Sequence, residues 1–195
     1  MKSREEALAL LHEYTKSESL IKHALGVEAA MLWYAKHFGC SDVEQEKWAI
    51  TGLLHDFDYE MYPEPTSPGG HPFKGNAILA ELGYPEDVRD AIMGHAEYTG
   101  VARETQIAKT LFAVDELSGL ITAATLVRPD RSLHTITPKS VKKKMKDKAF
   151  AKGCNRDDIR QGAEELGVEL GEHIGNVIDA MRTVATELGL DGETL

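Results

Sequence analysis

Helical spacing of apolar residues is the feature that most restricts the fold of this chain. From about Glu18 to Phe38 apolar residues recur every three or four positions, and similar patterns follow one another along the sequence. Stop and turn residues separate them, such as Gly39 and the proline- and glycine-rich stretch 63–70. No convincing alternation of apolar and polar residues, the sign of a strand, interrupts the series. The sequence therefore predicts an all-α fold.

Capping signals divide the chain into successive helices. Ser3 and Glu6 form a capping box for a short first helix that reaches Tyr14. The helices that follow are expected at about 18–38, 42–56, 71–83, 85–95, 104–127, 138–150, 155–167 and 168–190. We predict one domain over 1–195, with its main part at about 18–127 and a C-terminal helical extension at about 138–190.

Composition narrows the class of partner. The chain has 22 basic and 32 acidic residues and a formal net charge of -10, which disfavours nonspecific binding to nucleic acid or to anionic membranes. Small solutes are the better prediction, and a homodimer stays open. Only Cys40 and Cys154 are present, which is typical of a reducing cytoplasm. No run of about 18 apolar residues predicts a membrane span.

A histidine followed directly by an aspartate, His55-Asp56, ends the apolar segment 48–54. A neutral imidazole and an ionised carboxylate are ligands that suit a divalent metal ion. The doublet alone is a weak signal, because such pairs occur by chance. Burying histidine and aspartate without partners is costly, however, and further candidate ligands are spread over other predicted helices. These are His23, His71, His95 and Asp115.

This order of residues resembles the HD-domain superfamily of metal-dependent phosphohydrolases. Its four defining positions are matched by His23, His55, Asp56 and Asp115, and the resemblance covers about 20–127. It implies an HD-type helical bundle with additional C-terminal helices, in which these side chains converge on one divalent ion. It also implies a phosphomonoesterase or phosphodiesterase that attacks a small phosphorylated metabolite or nucleotide with metal-activated water.

His71 and His95 sit where members with two metals carry additional ligands. In one interpretation Asp56 bridges two ions, and Asp56, His71 and His95 are the catalytic residues around the second. In another, the two histidines bind or protonate the substrate beside a single ion, and in a third they are structural. The ligand types do not distinguish Mn, Fe, Co, Ni, Zn or Mg. Ala96 stands where the cyclic-dinucleotide branch has a second histidine, which disfavours that activity.

Two other functional classes stay open at this stage. The complete order His, His-Asp, His, His, Asp also resembles the mixed-valence di-iron oxygenases of this fold, such as myo-inositol oxygenase. Those enzymes use iron to activate dioxygen on a C–H bond. The third possibility is a non-catalytic, nucleotide-sensing HD domain whose metal is structural.

Charged residues outside the motif are candidates for secondary roles. Asp58 and Glu60 are expected to be surface carboxylates, with general acid or base catalysis as the alternative. Lys74, Lys109 and Arg128 are the candidate substrate-binding residues, because each could reach a phosphate.

The remaining basic and aromatic residues are expected to be structural or solvated. Six lysines form a dense run, expected to be a solvated helix face, with a phosphate-attracting rim as the alternative. They are Lys139, Lys142, Lys143, Lys144, Lys146 and Lys148. Trp33 and Trp48 are expected in the core. Four histidines lack a counterpart in the motif and are expected to be surface or locally hydrogen-bonded residues, namely His12, His37, His134 and His173.

Overall fold

A computed structural model of the chain describes residues 1–65 and 68–192. Within these residues there are ten α-helices, one short 3-10 helix and no β-strand, so the all-α prediction is confirmed. The helices are α1 (Arg4–Tyr14), α2 (Glu18–His37), α3 (Asp42–Leu54), α4 (Phe73–Glu81), α5 (Glu86–Gly94), α6 (Gln106–Leu126), α7 (Pro138–Met145), α8 (Arg156–Leu166), α9 (Leu170–Arg182) and α10 (Ala185–Leu188), with the 3-10 helix at Glu97–Thr99. The expected loop between α3 and α4 includes residues 66–67, which lie outside the described part.

Some helix ends differ from the sequence-based prediction. Helix α3 ends at Leu54 and not at Asp56, because the His55 ring lies 2.7 Å from the Gly52 carbonyl and occupies an acceptor that the helix would otherwise use. Helix α7 ends at Met145, short of the expected residue 150. The single helix expected at 168–190 is interrupted between α9 and α10 by Thr183 and Val184.

Helices α2, α3 and α6 form the core that positions the candidate ligands. Helices α2 and α3 approach each other closely at Gly52. A Cβ atom there would lie 2.9 Å from the Val27 carbonyl oxygen and 2.9 Å from Met31 Cγ. Only glycine allows this separation of the two helices. Since His23 lies on α2 and His55 directly follows α3, the close packing brings these two rings together.

The C-terminal helices pack against the same core. His173 on α9 is completely buried, so the prediction of a surface or locally bonded residue is wrong. Its Nε2–H donates to the Ala113 carbonyl on α6 at 2.8 Å, and its Nδ1 accepts from the Tyr34 hydroxyl on α2 at 2.6 Å. Burial lowers the pKa of His173 below its usual value. This neutral histidine therefore ties α9 to both central helices.

The other peripheral predictions agree with the structure. Trp48 is buried and Trp33 packs against the core. His12, His37 and His134 are exposed. The lysines of α7 and the following turn are exposed or half-buried, as expected of a solvated face. Among the described helices, none has the length and apolar character that crossing a bilayer requires.

Candidate metal centre

Four candidate ligands meet where α2, α3 and α6 come together. His23 Nε2 lies 2.9 Å from Asp115 Oδ1, and His55 Nε2 lies 3.3 Å from the same oxygen. Asp56, the next residue, places Oδ2 3.5 Å from His55 Nε2. The residues at the four defining positions of the motif are thus within a few ångströms of one another.

The two further histidines approach the other side of Asp56. His71, just before α4, places Nε2 3.2 Å from Asp56 Oδ1, and His95, just after α5, places Nε2 3.3 Å from it. Ligand atoms of His23, His55 and Asp56 lie within 4.8 Å of one another, and so do those of Asp56, His71 and His95. Each group could hold a metal ion. Asp56 belongs to both and turns a different oxygen to each.

Hydrogen bonds donated by Nδ1 set the tautomer of the central histidines. His55 Nδ1 donates to the Gly52 carbonyl at 2.7 Å, and His95 Nδ1 donates to the Ile92 carbonyl. Each of these histidines directly follows the last residue of a helix, and its Nδ1–H donates to the backbone carbonyl three residues earlier. Because Nδ1 carries the proton in the neutral ring, Nε2 presents a lone pair to the cluster. This is the form that binds a metal ion through Nε2.

His71 is oriented by a buried carboxylate. Its Nδ1 donates to Asp58 Oδ1 at 2.7 Å, and the Gly75 N–H donates to Asp58 Oδ2 at 2.6 Å. Asp58 is only 1% exposed, so its prediction as a surface carboxylate is wrong. A Cβ on Gly75 would lie 2.7 Å from Asp58 Cγ, which explains the glycine there. A carboxylate behind a metal-binding histidine fixes the orientation and the tautomer of the ring.

Glu60 behaves as the sequence predicts, as an exposed carboxylate. It accepts hydrogen bonds from the backbone N–H groups of Lys16 at 2.8 Å and Ser17 at 2.9 Å, just before α2. The two acidic residues that follow the doublet therefore have different tasks. Asp58 supports the centre, and Glu60 supports a helix end.

The arrangement of buried polar atoms in the centre would be stabilised by a bound cation. His55 Nε2 is buried and makes no hydrogen bond of acceptable geometry among the described residues. With its proton on Nδ1, the Nε2 lone pair faces carboxylate oxygens of Asp56 and Asp115 at 3.5 and 3.3 Å. Leaving a buried polar atom unsatisfied costs roughly 1–3 kcal/mol. A divalent ion, or a proton, between these atoms would remove the repulsion, so the donor set fits a metal.

The pKa values of the ionisable groups in the centre also indicate that a positive charge is favoured there. Burial by itself would raise the pKa of Asp56 and Asp115, but the neighbouring histidines outweigh it and hold both pKa values well below the usual range. Burial opposes the protonation of His95, yet the hydrogen bond and charge of Asp56 raise its pKa to about 9. Nitrogen and carboxylate ligands of this kind suit several divalent transition metals, and binding them displaces protons.

A cleft of about 680 Å³ opens onto the centre. Its walls include tyrosines, prolines and the beginning of α8, so the C-terminal extension forms part of the site. Lys74, Lys109 and Arg128 are not among the described residues that line the cleft. Lys74 lies 5.7 Å over the Tyr62 ring, and Lys109 is half-buried. Arg128 donates to Asp130 at 3.0 Å and to Thr135 at 2.9 Å, which keeps its guanidinium at the end of α6.

Several residues that line the cleft were not predicted from the sequence. Glu116 follows Asp115 directly in the sequence, so its position beside a candidate ligand could have predicted that it lies near the centre. Asn155 begins the segment 155–167 that the sequence predicts as a helix, and no local pattern connects the beginning of α8 with the motif. Further lining residues that were not predicted include Tyr59, Glu97, Tyr98, Cys154 and Asp158.

Comparison with known proteins agrees with the geometry. The family model for the HD domain matches residues 20–120, just over half of the 195-residue chain. Comparisons with curated proteins and with solved structures give no match. The HD-domain superfamily consists mostly of metal-dependent hydrolases. The matched segment contains all six candidate ligands, from His23 to Asp115. The chain belongs to the HD-domain family.

Proposed function

We propose that this protein is a metal-dependent phosphohydrolase that cleaves a small phosphate ester. The observation that best supports it is the position of Asp56 between two ligand groups, with Oδ2 toward His55 and Oδ1 toward His71 and His95. In this proposal a first ion takes His23, His55, Asp56 and Asp115, and a second takes Asp56, His71 and His95.

In this proposal the chain orients these side chains for metal binding, and a bound ion would displace the proton of His95. Bound divalent ions would supply Lewis-acid activation of a water and of a phosphoryl oxygen. The protein orients the rings through fixed Nδ1 donors and keeps the Nε2 atoms directed at the shared carboxylate. This arrangement favours His71 and His95 as ligands over the alternative in which they donate protons to the substrate, because both Nε2 atoms face Asp56 and both Nδ1 atoms are engaged.

The direct test removes the shared ligand. Metal-depleted protein is reloaded separately with Mn, Fe, Co, Ni, Zn and Mg and screened against phosphate monoesters and diesters. We expect Asp56→Ala to lose bound metal and phosphate release together, because both ligand groups lose a member. Glu60→Ala is the matched control, since that carboxylate lies nearby but outside the centre. Full metal-dependent turnover by Asp56→Ala would refute the proposal.

The same six donors also fit the di-iron oxygenase alternative, so metal and oxygen are measured alongside phosphate. Elemental analysis of the purified protein and oxygen uptake after iron loading distinguish the chemistries. Oxygen uptake without phosphate release from any ester would replace the phosphohydrolase with an oxygenase. Saturable nucleotide binding with no turnover for any metal would favour the sensing domain.

A further inference from the structure

A second groove adjoins the cleft of the candidate metal centre. Its volume is about 790 Å³, and Cys154 and Asn155 line both cavities. The groove is formed by the end of α7, the turn that follows it and the beginning of α8. A volume of this order is typical of sites for small ligands. A ligand long enough to pass Cys154 and Asn155 would therefore reach both cavities.

The groove is strongly basic, although the chain as a whole carries a formal net charge of -10. Its described lining contains five cationic side chains, namely Lys146, Lys148, Lys152, Arg156 and Arg160. The single carboxylate of this lining belongs to Asp157, which pairs with Arg160 at 2.8 Å. The other four cations have no carboxylate partner in the lining. Cations that share one groove repel one another, and a bound anion would relieve the repulsion.

The three lysines of the groove are available to a ligand. Their side chains are exposed, and none of them forms a hydrogen bond or an ion pair with another residue in the described part of the chain. Two other lysines of the same region are engaged elsewhere. Lys142 pairs with Glu169 at 3.0 Å, and Lys144 lies 4.5 Å from the centre of the Phe150 ring. The free ammonium groups are therefore a property of the groove and not of every lysine in the run.

Arg156 places a fixed positive charge in the wall of the groove. Its Nη1 donates to the Ala151 and Cys154 carbonyls, and its Nη2 donates to the Phe150 carbonyl. These acceptors are uncharged, so they position the guanidinium without neutralising it. The Nε–H of Arg156 is buried and has no hydrogen-bond partner among the described residues. Unsatisfied buried donors are uncommon in folded proteins, and an anion oxygen bound in the groove would satisfy this one.

The cleft itself offers a second phosphate group no comparable partner. Neither lysine nor arginine is among its described lining residues. Arg103 lies against Phe112 in the cleft wall, but it pairs with Glu97 at 3.4 Å and with Glu165 at 2.7 Å. The carboxylates of the cleft would repel an anionic group that no metal ion holds. A phosphate group that extends beyond the metal centre would therefore be bound in the groove.

We propose that the substrate carries two phosphate groups, of which one is directed to the metal centre and the other is bound in the basic groove. For the cleavage of the first group, this inference rests on the proposed function. The three lysines and Arg156 would bind the distal phosphate through charge-assisted hydrogen bonds. The groove would hold the end of the substrate that does not react, and it would thereby select bisphosphorylated over monophosphorylated substrates.

Calorimetry with metal-loaded protein tests the groove without any turnover. It compares bisphosphonates that have propane, pentane and octane linkers with the alkylphosphonates of the same chain lengths. Having two phosphonate ends gives by itself a statistical gain in affinity of about twofold, whereas simultaneous binding in both cavities adds the effective concentration of the second end. We expect at least one bisphosphonate to bind about tenfold or more tightly than its alkylphosphonate.

Substitution of two groove lysines shows where the second phosphonate binds. The gain in affinity should fall by about fivefold or more in Lys148→Gln/Lys152→Gln, because both side chains are exposed cations of the groove. Lys139→Gln/Lys143→Gln is the matched control. It removes the same charge from exposed lysines that line a different groove, and it should keep the gain within about twofold. A gain of about twofold or less for all three linkers, or a gain that both double variants or neither of them reduces, would overturn the inference.

Turnover distinguishes this inference from the proposed function. Phosphate release from the diol bisphosphate with the best linker is compared with release from the matching alkyl phosphate. We expect a higher kcat/KM for the bisphosphate, and Lys148→Gln/Lys152→Gln should lower this preference by about fivefold or more. Cleavage of both esters with no preference that depends on these lysines would overturn the inference and leave the proposed function intact. Lysine-dependent binding of a bisphosphonate with no ester cleaved would support the groove as a phosphate site and count against the phosphohydrolase.

Discussion

Replacing Asp58 with Asn tests the second ligand group through a residue that would not touch the metal. Asp58 accepts two hydrogen bonds, from His71 Nδ1 at 2.7 Å and from the Gly75 N–H at 2.6 Å. An asparagine has one acceptor oxygen and one NH₂ group. Because the Gly75 N–H can only donate, the amide oxygen takes that bond and the NH₂ group faces His71 Nδ1. His71 then has to move its proton to Nε2, the atom that faces Asp56.

The size of the effect follows from these contacts. A proton on Nε2 blocks the lone pair that the second metal needs, and loss of a supporting carboxylate lowers metal affinity by about 10- to 100-fold. This corresponds to roughly 1.4–2.8 kcal/mol of binding free energy. Asp58 is buried, and hydrogen bonds to charged groups contribute about 1.5–3 kcal/mol, so the free energy of unfolding should also fall by an amount of that order.

Calorimetric titration of metal-depleted protein measures both ligand groups separately. Wild-type protein should show two binding events, and Asp58→Asn should weaken one of them by 10- to 100-fold while leaving the other within about twofold. Glu60→Gln is the control, because this exposed carboxylate lies two residues further along the chain and accepts hydrogen bonds from backbone N–H groups before α2. Unchanged affinity at both sites in Asp58→Asn, or equal weakening of both, would refute the assigned role.

Three further perturbations test other parts of the structure. Gly75→Ala should weaken the same metal site and lower the free energy of unfolding by about 1–3 kcal/mol, because the added Cβ would lie 2.7 Å from Asp58 Cγ. Metal titration measures the first effect and thermal unfolding the second. Wild-type values in both experiments would contradict the packing argument. Metal binding near pH 7 should release protons, since the pKa of His95 is raised to about 9 in the metal-free centre. Calorimetry in buffers of different ionisation enthalpy measures this proton release. The release should diminish above pH 9. The unfolding free energy should decrease as the pH falls below about 6.5, because the unfolded chain protonates His173 while the folded state, with its lowered pKa, keeps the ring neutral. His173→Gln should lose that component, and an identical pH dependence in both proteins would count against it.

The sequence predicts the fold class and the ligand types well because both depend on local or chemical properties. Helical spacing needs only neighbouring residues, and the divisions near Gly39 and Pro85 follow from the backbone preferences of glycine and proline. Histidine and aspartate spread over several helices indicate a metal centre, since these side chains are costly to bury unless they bind something.

The burial of Asp58 could not be predicted from the sequence. Its partners, His71 and Gly75, are 13 and 17 residues away along the chain, and only the tertiary structure brings them to Asp58. A carboxylate next to a loop is usually exposed, and no local pattern distinguishes Asp58 from Glu60. Arg128 also has contacts that local sequence patterns do not predict, because Asp130 and Thr135 hold its guanidinium at the end of α6.

The sequence alone determined that this protein is a helical HD-type chain with histidine and aspartate residues that could bind a metal, because periodicity and side-chain chemistry are properties of residues and their order. The tertiary structure decided how those candidate ligands are arranged. It turned the two oxygens of Asp56 toward different ligand groups and fixed the histidine tautomers through carbonyl and carboxylate partners. It also brought Asp158 of the C-terminal extension to the cleft wall. These features depend on distances between residues far apart in the chain, and packing of the helices sets those distances.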